Sequence, residues 1–455
     1  MVAAHYCGAL LVLALIFGIG LYSGTLVKSA RDFVTGSGKA GPSIVAGVVI
    51  GTLVGGSATI GTAQLAFVHG FSAWWLTLGG GLGCLVLVIF YSRPLHESGV
   101  STMPQILARE YGGAVAVTAL LLTSLGSMLA VIPQVLSGVA LITSVSELPV
   151  LAAVVLSVTL MLAYVSLGGV WGSGLAGIAK TLLLLCLMGL AGLLALHWQG
   201  GWSSFRAILP AERYFTLVSR GVAVDIGAGM SLIMGMVTTQ IYLQAAFSAR
   251  SLRASRAGLL VSAVIIPLIG LGGIMVGLYM RVHRPDIPSF GALPIFILDY
   301  IPPLLGGMMF GTLFITLMGT AGGVALGISS MICADIYRAR INPHADDKAM
   351  LRVSRGVLLA IFVLAALVGA NASGTMIMNW SFLSMGLRAS VAFGVLSAAI
   401  FMPGRISASY ALAAMCAGLV CAGLGKVFAG HLMDPLFPGV AASLLVLLAG
   451  YLRPR

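Results

Sequence analysis

Charge is what this chain has least of. Asp, Glu, Lys and Arg make up 8% of its 455 residues, against about a quarter in soluble domains. The shortage leaves no stretch long enough for a soluble domain. The few charges are unbalanced: 24 Lys and Arg against 12 Asp and Glu give a net charge of +12. The basic residues sit in short loops between apolar runs, which reads as orientation signals and not as a nucleic-acid surface. Cysteine is also sparse. Cys7, Cys84, Cys186, Cys333, Cys416 and Cys421 all fall in apolar runs, with no CxxC and no neighbouring His. That excludes a disulfide framework and a resident metal centre and leaves small buried hydrophobes. GSGKAG (36–41) lacks the upstream glycine and the hydroxyl after Lys39 that a phosphate loop needs. With no Walker motif and no nucleophile–base pair, neither an ATP-driven pump nor an intramembrane enzyme is indicated, and no organic cofactor is implied.

What is present is apolar. The chain is 59% hydrophobic, its mean hydropathy is +1.09, and runs near the ~20 residues that cross a bilayer recur throughout. Thirteen spans are predicted, at about 6–27, 43–69, 71–92, 114–142, 149–168, 174–196, 223–247, 258–280, 304–333, 356–371, 378–402, 407–426 and 437–452. The fold class is therefore an all-α polytopic membrane protein. The first segment has no basic n-region and runs on to Lys28 and Arg31, so it is predicted to be a span and not a cleaved signal.

An odd count puts the termini on opposite sides, and the charges orient them. A cytoplasmic C-terminus places Lys28, Arg31, Lys39, Arg93, Arg109, Arg250, Arg253, Arg256, Arg338, Arg340, Lys348, Arg352, Arg355, Arg405, Arg453 and Arg455 inside. Outside are Arg206, Arg213, Arg220, Arg281, Arg284 and Lys426. The bias predicts an outer N-terminus and a cytoplasmic C-terminus in a cell membrane. Only Lys180 and Arg388 remain within spans. The outer stretches 198–221 and 281–304 are expected to form interfacial helices, a lid or packing caps. The charged segment 335–355 is expected to be a solvated loop.

One span is polar where it should be greasiest. GTLVGGSATIGTAQ (51–64) combines four glycines with Thr52, Ser57, Thr59, Thr62 and Gln64. In hydrocarbon each freed backbone group and hydroxyl needs an internal partner. Residues 55–64 are thus expected to unwind into a site lined by Ser57, Thr59, Ile60 and Gln64. The competing reading is close helix packing through small residues, which TLGGGLG (77–83) also permits. A second polar interruption holds Thr316 and Thr320, four apart on one helix face. Either hydroxyl can instead bond back to its own helix.

GGSATIGTAQLAFVHGFSAWW (55–75), YVSLGGVWG (164–172), TTQIYLQAAFSARSLRASRAG (238–258), LMGTAGGVALGISSMICADIY (317–337) and SMGLRASVAF (384–393) stand in this order in the chain. Together they resemble the sodium:solute symporter family over nearly the whole length. The resemblance implies thirteen spans and a leucine-transporter-type core of two inverted five-helix repeats, about 43–196 and 223–402. Helices 6–27, 407–426 and 437–452 would be peripheral. It implies sodium-coupled symport of a small polar or anionic solute, with the solute, sodium and the lipid bilayer as partners and no nucleic acid. The implied sodium ligands are the carbonyls of Ser57, Ile60 and Thr316 and the side chains at Gly319 and Thr320, with Gly319 lacking its oxygen. Where the family usually has an acidic residue and then a glutamine in span six, this chain has Gly177 and Lys180. A proton-coupled or sodium-independent carrier with Lys180 at the cation site is the alternative; a channel or sensory module is the more distant one. Lys180 could equally snorkel to the membrane surface. Thr59, Gln64, Trp75, Thr77, Gln240 and Gln244 are the solute-contact candidates. Arg388 is expected to pair with a carbonyl or cap a helix, since an intramembrane charge needs a partner.

Overall fold

A computed structural model describes residues 2–24, 40–165, 169–372 and 374–453. Lys28, Arg31, Lys39 and Arg455, counted above for orientation, lie outside the described residues, as does 166–168 within YVSLGGVWG. Most of the described chain is helical. The principal helices are α1 (Ala3–Gly24), α2 (Pro42–Leu53), α3 (Thr62–His69), α4 (Trp75–Val86), α5 (Gly113–Met128), α6 (Ile132–Val145), α7 (Val150–Val165) and α8 (Gly169–Trp198). They continue with α9 (Val222–Thr238), α10 (Gln240–Phe247), α11 (Leu252–His283), α12 (Pro303–Met331), α13 (Asp347–Asn371), α14 (Ile377–Phe401), α15 (Ala408–Ala429) and α16 (Leu436–Leu452).

Among the described residues, eight helical stretches are long and apolar enough to cross a membrane, or nine with the bent pair α9–α10. Shorter apolar helices at Ala3–Ile19, Pro42–Leu53, Val150–Val165 and Leu436–Leu452 fall where further spans were expected. Gly70, at φ 61, turns the chain between α3 and α4, a left-handed conformation that favours glycine. These positions are compatible with thirteen spans.

Lipid offers no hydrophobic force between helices, so close backbone approach does the work. A Cβ on Gly177 of α8 would overlap the Gly47 carbonyl of α2, and one on Gly192 would stand 2.8 Å from Gly272 of α11. The first of these crossings matters for function. One turn beyond Gly47 is Gly51, and one turn beyond Gly177 is Lys180. The glycine contact therefore delivers a lysine side chain to the end of α2.

The stretches 198–221 and 281–304 contain short helices packed by aromatics. Trp202–Ile208 and Ala211–Tyr214 lie beside an edge-on Phe71–Trp202 pair at 5.5 Å. Ala292–Tyr300 stacks Phe296 on Tyr300 at 5.5 Å. Segment 335–355 corrects the loop expectation. A π-helical extension runs from Ile332 to Ile341, and α13 begins at Asp347, capped by the Asp346 carboxylate on the Ala349 N–H at 2.8 Å. Its charges sit on these helices and at the Asp346 cap, not on an open loop.

Candidate binding site

Two helix breaks frame the site. The first follows α2, where Val54 leaves the helix at φ −80, ψ 89. The Gly56 N–H, freed by the break, donates to Oε1 of Gln134 on α6 at 2.7 Å. Gly55 and Gly56 are needed here for close approach. A Cβ on the first would crowd Gln134 and Thr320, and one on the second would overlap the Ser137 side chain. The irregular backbone is shorter than expected, confined to 54–56. Ser57–Gly61 is a π-helical turn and α3 is regular. The hydroxyls are the reason: Thr59 Oγ1 donates to Gly55 O at 3.0 Å and Thr62 Oγ1 to Ser57 O at 3.3 Å, which satisfies the glycine-rich stretch from within.

The second break was not foreseen. α9 and α10 meet at an angle of 48°, with Thr239 extended at φ −97, ψ 116. No glycine or proline announces it. The Thr239 hydroxyl donates to Gly235 O at 2.6 Å and receives Nη1 of Arg388 at 2.7 Å.

Lys180 does not snorkel. It is 1% exposed, and its ammonium donates to the Gly51 carbonyl, to the Thr316 carbonyl at 3.0 Å and towards the Thr320 hydroxyl at 3.5 Å. It thus bridges the end of α2 to α12. Two of the five oxygen positions implied for sodium, Thr316 O and Thr320 Oγ1, are engaged by this ammonium. Gly319 supplies no side-chain oxygen, and Ser57 O accepts from Thr62. Ile60 is buried in the π-turn. A Cβ on Gly319 would stand 3.2 Å from the Lys180 Nζ. With Lys180 in place, these residues do not fit a sodium ion: a like charge and a shortened donor set replace its shell.

Beside the first break is a cavity of about 30 Å³, lined by Ser57, Gln134, Tyr242, Thr320, Ser381 and Arg388 among apolar neighbours. Ser57 and Ser381 hydroxyls meet at 2.7 Å. Of the sequence candidates, Ser57, Thr320 and Arg388 line this space. Gln134, Tyr242 and Ser381 were missed, because a single polar residue in an apolar helix has no distinguishing pattern. A larger cavity of about 230 Å³ lies between α6, Phe290 and the turn before α14. Its named walls carry no charged side chain, so the smaller cavity is the chemically equipped one.

The remaining candidates bond to other protein groups, mostly backbone. Gln64 accepts from the Ile377 N–H at 3.0 Å and donates to Thr375 O at 3.5 Å, anchoring the start of α14. Trp75 Nε1 donates to Leu217 O at 2.7 Å, and Thr77 Oγ1 to Trp74 O at 3.3 Å. Gln240 accepts from Met103 N at 2.9 Å and donates to Ser101 O at 3.0 Å, while Gln244 accepts from Ser330 Oγ at 3.3 Å. Thr59 bonds back within its own segment. None of these six lines the central cavity.

The sequence profile of the "Sodium:solute symporter family" matches residues 33–418. The chain belongs to the sodium:solute symporter family. It is accordingly a membrane transporter and not an enzyme. Among curated relatives, the high affinity choline transporter 1 of Homo sapiens is 23% identical over 84% of this chain and 69% of its own length. Sodium/myo-inositol cotransporter 2 of Oryctolagus cuniculus is 26% identical over 79% of this chain and 60% of its own, so the chain spans about two thirds of these longer relatives. The high-affinity proline transporter PutP of Bacillus subtilis is 23% identical over 94% and 93%. A solved Na⁺-coupled sialic acid symporter, substrate-bound and outward-open, superposes with a TM-score of 0.80 at 18% identity, covering 98% of this chain and 97% of that one. That likeness concerns the fold.

Proposed function

We propose that this chain is a secondary active transporter that carries a small polar or anionic organic solute across a cell membrane by alternating access. The observation that carries the reading is the meeting of two helix breaks, at Val54–Gly56 and Thr239, around one polar cavity. Freed backbone at that depth is tolerated where it builds a site. Residues 43–196 and 223–402 act as the two inverted repeats, each beginning with a broken span. The 30 Å³ cavity admits a water or two and is far below the ~300–1,000 Å³ of ordinary ligand pockets. Solute therefore enters only when the repeats move apart, and the shape here is a closed stage of the cycle.

Coupling has two readings. Family membership and the retained Thr316, Thr320, Ser57 and Ile60 positions support sodium. The Lys180 ammonium, on two of those oxygens, favours a carrier in which a tethered cation stands where the ion would. This chain's own residues favour the second. The test begins with purified protein screened for thermal stabilisation by carboxylates, amino acids, sugars and nucleosides, followed by uptake of each stabilising solute into proteoliposomes. Saturable uptake with counter-flow supports a carrier, whereas steady unsaturable flux would defeat it. Replacing sodium by choline separates the couplings: persistence supports the tethered cation, and loss supports sodium.

A further inference from the structure

Among the described residues, the core carries two buried cations, Arg388 and Lys180, and no carboxylate pairs with either. Arg388 is 1% exposed, on the middle of α14. Among the described residues, the ion pairs are Arg93–Glu97, Arg220–Asp225 and Arg284–Asp299, and neither Arg388 nor Lys180 belongs to one. Asp434, the other deeply buried acid, accepts from Ser231 at 3.0 Å and from the Leu436 N–H at 2.9 Å. The guanidinium has five N–H donors. Nε goes to Ser384 O at 3.0 Å, Nη1 to Thr239 Oγ1 at 2.7 Å, and Nη2 to Ser384 Oγ at 3.0 Å with Met385 Sδ at 3.1 Å. All these partners are neutral.

Neutral partners orient a buried guanidinium without balancing its charge. Leaving that charge uncompensated in a membrane core is costly, and such residues mark substrate paths. Arg388 also borders the central cavity, beside the hydroxyls of Ser57, Ser381 and Tyr242. Leu53, Leu76, Leu232 and Val324 add apolar surface to a wall that also carries Thr52, Gln134 and Thr320. The lining thus sets one cation among hydroxyls and apolar side chains.

We propose that Arg388 is the solute-binding cation of this carrier, and that the solute is a small organic anion whose carboxylate meets the guanidinium while its apolar part lies against the leucines. The proposal rests on the carrier reading above and names its substrate class. Ser384 and Thr239 position the side chain, and Thr239 stands at the second helix break. Binding of the anion is therefore mechanically linked to the hinge of the second repeat. A neutral sugar or a cationic amine would leave Arg388 uncompensated, or add to the charge, in the closed state.

The test uses the full chain in lipid nanodiscs, free of sodium, with potassium acetate, pyruvate and benzoate as probes, each against its uncharged amide. Thermal unfolding and intrinsic tryptophan fluorescence report binding at equilibrium, whether or not transport occurs. A saturable response to at least one carboxylate, with its amide inactive, is expected. Arg388→Gln abolishes it, and Arg388→Lys, which keeps the charge but loses the fork, weakens it by about tenfold or more. If Arg388→Gln does not fold, Arg388→Lys with the carboxylate–amide comparison decides the matter. Absence of any carboxylate response in the folded parent, or an undiminished one in a folded Arg388 variant, overturns the proposal. Carboxylate binding without uptake into proteoliposomes would sink the carrier reading and leave the anion site standing. Uptake of a neutral solute with no carboxylate response would do the reverse.

Discussion

Gly319 and Lys180 face each other across the core: a Cβ on the glycine would stand 3.2 Å from the lysine Nζ. The glycine leaves free the space that the ammonium occupies. A hydroxyl at 319 would crowd the Lys180 ammonium.

That complementarity can be reversed. In Lys180→Ala/Gly319→Ser, the oxygens of Gly51, Thr316 and Thr320 are released and one more hydroxyl is added. Sodium chloride, relative to choline chloride, is expected to raise the unfolding temperature of the double variant and not of the parent. Equal behaviour of the two proteins would show that this pocket is no cation site.

Gly56 tests the first break. Its Cβ position is already filled by the Ser137 side chain of α6. Gly56→Ala should cost about 1–3 kcal/mol through overpacking, measured by denaturant unfolding in mixed micelles. Gly18, with nothing within 4 Å of its Cβ position, is the control at which Ala should be tolerated. Comparable losses at both sites would mean that glycine is used here for reasons other than close approach.

What the sequence made legible follows from how much each feature costs. A charge in hydrocarbon is expensive anywhere, so Lys180 and Arg388 stood out in the sequence, and both proved to be at the core. Glycine clusters announce a break, so the one at Gly55–Gly56 was legible to within a turn. Thr239 breaks its helix with no glycine or proline, so nothing marked it beforehand. Glutamines misled for a physical reason. Within a membrane an amide side chain serves an orphan backbone group as readily as a solute, and Gln64, Gln240 and Gln244 all hold protein groups. Gln134 looked no different, yet it borders both the break and the cavity.

Gln64 should therefore behave as a structural residue. Gln64→Leu leaves the Ile377 N–H without its acceptor in a buried setting, a loss of about 1–3 kcal/mol. Lower stability with an apparent KM changed less than twofold is the expected pattern. A large rise in KM at unchanged stability would return Gln64 to the solute site.

The expected orientation rests on the Lys and Arg distribution and on the thirteen spans predicted from the sequence. Reporter fusions after Arg256 and Arg355 are expected to report cytoplasm, and one after Arg213 the exterior. The opposite pattern would invert the assignment of inner and outer loops without altering the helix packing.

Ser57 and Ser381 join the first break to α14 through a single bond of 2.7 Å over the central cavity. Because that cavity is too small for an organic solute, this contact must part whenever the carrier opens. Ser381→Ala removes the bond while leaving a small side chain. Hydroxyl pairs between membrane helices contribute only about 0.6 kcal/mol on average, so stability should hardly change. The closed state, however, loses a contact that the open state never had, and the balance shifts by the same amount, a factor of about three. Hydrogen exchange over Gly55–Ile60 should therefore quicken about threefold in Ser381→Ala and equally in Ser57→Ala. The double variant should match either single one, because each alone already breaks the bond. Additive effects would show that the two hydroxyls act independently, and unchanged exchange in all three would show that the cavity opens elsewhere.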